Sequence, residues 1–152
     1  MAERRTLQFS TAEDVATDVA RLRHGYVGTG SWSLPQTCYH LNWVMQSSMK
    51  PGPAPADTPE QIARRPLLQQ MLATGKIPNG LPAPDEAVPP ADVPLSAVDT
   101  FLSTLEQFGR FAGPFAAHRL FGKISDDDRR RQQILHCAHH LSYLVPAEPS
   151  AT

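Results

Sequence analysis

The sequence predicts an all-α protein, a four-helix bundle with a long proline-rich crossover between its second and third main helices. Three observations carry that prediction. Apolar residues recur at helical spacing in separate stretches, Ser and Thr caps stand in front of those stretches, and no alternating run is long enough for a convincing strand. The 152 residues suit a single domain, 1–152, with room for one sizeable core.

Ser10-Thr11-Ala12-Glu13 reads as a capping box that opens the first helix with Ser10 as its cap. Val15, Val19 and Leu22 follow at helical spacing, until Gly25 and the Gly28-Thr29-Gly30 turn end it. A second box, Ser33-Leu34-Pro35-Gln36, opens a helix through about Met49 with the apolar face Leu34, Cys38, Leu41 and Met45. A weaker helical piece begins at Thr58-Pro59-Glu60-Gln61; Pro66 is expected to break or restart it, and Gly75 to close it. Residues 76–94 contain Pro78, Pro82, Pro84, Pro89, Pro90 and Pro94, a density that excludes helix and central strand. So long an irregular connection suits a lid over a site or a linker. Leu95, Val98, Leu102, Leu105 and Phe108 mark the third main helix, which Gly109 to Pro114 terminates. Ser125-Asp126-Asp127-Asp128 caps the fourth, its acidic first turn complementing the helix dipole, and Ile134, Ala138, Leu141 and Val145 form its core stripe. Residues 146–152 read as a short disordered tail.

A formal charge of −1 offers no field to gather nucleic acid. Arg129, Arg130 and Arg131 directly follow Asp126, Asp127 and Asp128 and are locally offset by them. No window approaches the roughly 18 apolar residues of a membrane span, and no signal-peptide pattern follows Met1, so a soluble cytoplasmic protein is expected. Cys38 and Cys137 fall on apolar stretches of separate helices and are expected to be reduced core residues.

The chemistry concentrates in Leu135-His136-Cys137-Ala138-His139-His140-Leu141. Four residues is just over one helical turn, so His136 and His140 share a face and can hold one ion from one side. His40 stands at the flank of its own helical stripe, as the pair does on theirs, and is the third candidate ligand. Polar histidines on half-exposed flanks are the plainer alternative. His139 points away from the pair toward Leu135 and Tyr143, and His118 is either a fourth ligand, a proton shuttle or an ordinary loop histidine. Gln36 and Gln133, about one turn before His40 and His136, are candidate hydrogen-bonding partners of the ligands. Trp32 and Trp43 either wall a substrate pocket with Phe121 opposite or simply pack in the core. No Gly-x-Ser-x-Gly elbow is present, and Gly28-Thr29-Gly30 follows no predicted strand, so serine-hydrolase and phosphate-loop chemistry have no support.

A helix-two histidine, a long crossover and a late His-x-x-His-His resemble the DinB/YfiT-like superfamily of four-helix-bundle metalloproteins. Within it the chain is most similar to a small bacterial subfamily bearing a domain of unknown function. Gly30-Ser31-Trp32-Ser33-Leu34-Pro35-Gln36 with His40-Leu41, Lys76-Ile77-Pro78-Asn79-Gly80, His118 through Ser125, and His136 to Leu141 carry that likeness. The resemblance implies a divalent metal, zinc or nickel, on His40, His136 and His140. It also implies chemistry like that of relatives that are thiol-dependent transferases or a maleylpyruvate isomerase. The chain departs from them in having Leu135 where some carry tryptophan, and in showing no recognisable thiol-cofactor pocket.

Three histidines leave a coordination position open for water or substrate, which suits a metal-dependent transferase or hydrolase-like enzyme acting on a small molecule such as a thiol. The competing expectations are a non-catalytic small-ligand-binding bundle, a homodimerising one, or a protein-binding one with residues 76–94 as the recognition segment.

Overall fold

The computed structural model describes residues 2–53 and 55–147. It is mostly helical: α1 spans Ala12–Arg23, α2 Leu34–Ser48, α3 Pro59–Thr74, α4 Ser96–Arg110 and α5 Asp126–Leu141. A small antiparallel sheet pairs β1 (Tyr26–Gly28) with β2 (Leu144–Pro146), so that Val27 faces Val145. All-α is therefore right in the main. The strands escape periodicity analysis because three residues each are too few to show alternation.

The caps explain the helix starts. In α1 the cap is Thr11 rather than Ser10: its hydroxyl accepts from Asp14 N–H while Asp14 reaches back, so the reciprocal acid is Asp14 and not Glu13. Ser33 with Gln36 and Thr58 with Gln61 close full boxes on α2 and α3, and Ser125 caps α5 through Asp128 N–H. Pro66 does not break α3. It lies on the solvent side of the helix, as does Ile62, whose carbonyl loses its i+4 donor there but stays open to water. Gly75 ends α3 with φ 71°, as expected of a left-handed cap.

One apolar core joins α1, α2, α4 and α5 through Val19, Leu41, Met45, Phe101, Phe108 and Leu141, among others. On α4 the inward face is Val98, Phe101, Leu105 and Phe108, whereas Leu95 precedes the helix and is 62% exposed. Helix α3 stays outside this core and builds a second cluster from Leu68 and Met71 with Leu120 and Phe121. It also holds the main chain of the 118–122 hairpin: Gln61 Nε2 donates to Arg119 O, and Arg65 Nε donates to Phe121 O. Arg65 is in turn ion-paired with Asp57. The second-to-third helix connection of the sequence reading thus contains a packed helix and a short 3-10 turn, Asp85–Ala87, within the proline-rich segment.

The β1–β2 pair ties the end of α1 to the end of α5. Pro146 pairs with Tyr26, and Ala147 N–H donates to Gly25 O at 2.9 Å, so the expected disordered tail does not begin at 146. Residues 148–152 lie outside the described residues. Beyond β1, Gly30 passes so close to Tyr143 that a Cβ there would sit 3.1 Å from the ring, and this approach brings the following Trp32 beside α5. Cys38 and Cys137 are buried and free. Burial pushes the Cys38 thiol up to about 12 and raises Cys137 further. Among the described residues no helix is long and apolar enough to cross a membrane.

Candidate metal centre

His40 on α2 and His136 and His140 on α5 come together as the sequence spacing suggests. His136 Nε2 lies 3.2 Å from His40 Nε2 and 3.1 Å from His140 Nε2. Donors bound to one ion at about 2.1 Å stand about 3.0 to 3.4 Å apart for angles between square and tetrahedral, so these separations fit a shared cation. They do not suit three neutral imidazoles left to themselves, because each Nε2 can offer only one proton or one lone pair toward its neighbours.

The orientation of His40 comes from the proline-rich segment. Its Nδ1 is 2.9 Å from Ala87 O at the end of the 3-10 turn. A carbonyl only accepts, so Nδ1 carries the proton and Nε2 presents its lone pair to the other two rings. A main-chain carbonyl behind a histidine is a usual way to orient a metal ligand. Neither glutamine singled out from the sequence does this work. Gln36 completes the α2 cap and donates to Pro90 O, and Gln133 is buried and donates to Gln132. His136 Nδ1 is buried with no partner among the described residues, and none of them fixes its tautomer from that side.

Every ring of the group is held neutral. Burial comes first in each case: it lowers His40 against the raising effect of Ala87, and takes His136 well below the ordinary range with help from His140 and His40. Burial, then the neighbouring His40, His139 and Arg4, bring His140 down to about 2. Neutral imidazoles are the ligand form. Trp32 covers the group, stacked on His140 with 5.3 Å between centroids and tilted over His40 at 5.0 Å.

The three histidines stand in the wall of a cavity of about 440 Å³, within the range of small-molecule sites. Trp43, Met71 and Phe121 supply apolar wall, residues 77–84 cover one side, and no Asp or Glu lines it. His118 lines it too, 4.7 Å from the Phe121 ring, and is not one of the convergent group. Its Nδ1 accepts from Leu120 N–H, and burial with the charges of Arg129 and Arg119 pushes it down to about 3. His139 packs edge-on to Tyr143, as expected, but it also touches His140 and borders the cavity.

Arg129 and Gln132 are lining residues that the sequence reading passed over. Taking about 100° per residue, Gln132 is displaced from His136 by about 40°, whereas Gln133 turns about 60° toward the core side. That arithmetic on the helical wheel was the available signal. The Ala87 carbonyl left none, since a main-chain group has no sequence signature.

Fold and site together define a helical protein with three convergent imidazoles at the wall of a cavity. The chain belongs to the family described as Protein of unknown function (DUF1569), matched over residues 1–147. No curated protein and no solved structure matches it.

Proposed function

We propose that the chain is a DinB-like four-helix bundle holding one divalent metal ion, zinc or nickel, on His40, His136 and His140. In this reading it is a cytoplasmic metal-dependent enzyme for a small molecule, of the thiol-transferase or hydrolase kind. The observation that carries the metal is the convergence of the three Nε2 atoms with the His40 lone pair turned inward by Ala87 O. A bound ion polarises a coordinated thiol or carbonyl and lowers the pKa of bound water. The chain itself supplies orientation and dryness. Ala87 fixes one ligand, Trp32 shields the rings, and the walls of Trp43 and Phe121 exclude water around a substrate. His118, neutral with Nδ1 already accepting from Leu120, keeps its proton on Nε2 and acts there as a hydrogen-bond donor.

The absence of any carboxylate from the cavity lining favours a second reading, in which the cavity binds a small ligand without turning it over and the metal is incidental. Metal content by mass spectrometry, on protein purified without a histidine tag, tests the first. About one ion per chain, lost in His136→Ala/His140→Ala, is the expected result. No stoichiometric ion, together with a melting temperature unmoved by added zinc or nickel, transfers the assignment to the binding module.

A further inference from the structure

Arg129 is 5% exposed, and among the described residues no carboxylate pairs with it. Its Nε donates to Ala116 O at 3.0 Å and its Nη1 to Gln132 Oε1 at 2.8 Å, both neutral acceptors. A buried guanidinium normally takes a carboxylate or phosphate, because desolvation of the charge is costly unless an anion answers it. Here the remaining donors, including Nη2, have no protein acceptor among the described residues, and Arg129 lines the same cavity as the histidines.

The placement on α5 is regular. Arg129, Gln132, His136 and His140 follow one another along one face, with Arg129 turned only about 20° from His136 and about 10 Å of helix rise between them. Gln132 Oε1 accepts twice, from Arg129 Nη1 and from Gln133 Nε2, and among the described residues no protein acceptor meets its own amide N–H groups. Among the described residues no Asp or Glu lines the cavity, so the charge of Arg129 meets no counter-ion within it. Trp43, Met71 and Phe121 supply its apolar wall, and about 10 Å of helix rise separates Arg129 from His136.

The geometry points to Arg129 and Gln132 as the anion-binding end of this cavity, which selects a small carboxylate-bearing molecule with an apolar body as the ligand of the site. This deepens the proposed function but depends on it only for what happens at the histidine end; the carboxylate contact stands on Arg129. Burial lowers the Arg129 guanidinium to about 10, still fully charged at neutral pH, and its charge is felt at His118.

The test is calorimetric titration of phenylacetate and of phenylacetamide, its neutral counterpart, into the full chain, both metal-loaded and stripped with chelator. The expected result is that wild type favours the acid by roughly tenfold, the least that a charge-assisted hydrogen bond in a dry site supplies. The preference should persist without metal, vanish in Arg129→Gln and be partly kept in Arg129→Lys. Equal binding of acid and amide, binding of neither, or an acid preference that survives Arg129→Gln overturns the assignment. The last pattern, if also abolished by stripping, would place the carboxylate on the metal instead. Absence of stoichiometric metal from wild type, with the acid preference intact, would sink the metal reading and leave this one standing.

Discussion

Mild acid should unfold this protein well before its carboxylates protonate. The cause is a group of histidines folded away in neutral form: His118 at about 3, His139 at about 4 and His140 at about 2. Unfolded, each titrates near 6.5. The unfolded chain therefore binds more protons between those folded values and 6.5, so stability is complete above about pH 6.5 and falls as pH drops toward the folded values. One unit below 6.5, each such group has cost about 1.4 kcal/mol. His118 and His140 together remove about 3 kcal/mol between pH 7.5 and 5.5, the half-buried and partly screened His139 adds less, and His40 and His136 act in the same direction. That is a large share of the 5 to 15 kcal/mol typical of a domain. Urea unfolding across this window, in chelator so that no cation contributes, measures it directly. His118→Gln should flatten the dependence by about one proton. A change under about 1 kcal/mol in wild type, at constant m-value, would refute the claim that these imidazoles are buried neutral.

Two further outcomes follow from the packing. His140→Ala should abolish metal uptake at small cost in stability, whereas Leu141→Ala should keep the metal and lose about 2 to 5 kcal/mol from a fully buried position, read by urea unfolding at pH 7.5. Gly122→Ala should cost about 1 to 3 kcal/mol, since Gly122 has φ 73° and a Cβ there would stand 2.5 Å from Asp57 Oδ1. An unchanged denaturation midpoint in that variant would contradict the hairpin geometry that carries His118.

The helical elements and the histidine trio were legible in the sequence for a shared reason: both are written in the 3.6-residue period. The stripe of Leu34, Cys38, Leu41 and Met45 put His40 on a flank, and the stripe on α5 put His136 and His140 on another. Burying both stripes in one core leaves those flanks facing each other. What failed was whatever period does not encode. Pro66 stays helical because it faces solvent, a fact about the partner surface rather than about proline. Ser10 and Thr11 are both competent caps, and only the position of Asp14 decides between them. Gln133 stands three residues before His136 and turns toward the core, whereas Gln132, four residues before it, turns toward the cavity.

The bond from His40 to Ala87 joins one of the three convergent histidines to a segment through a group that every amino acid possesses. Replacement of the exposed side chains around Ala87, itself fully buried with no room for a larger group, leaves the carbonyl in place, so drift in the composition of the rest of this proline-rich stretch is tolerated provided its path is kept. Inserting or deleting a residue between Pro84 and Pro90 is another matter, because it re-aims the acceptor and frees the imidazole to turn. Length, rather than identity, is the property of that segment on which the centre depends.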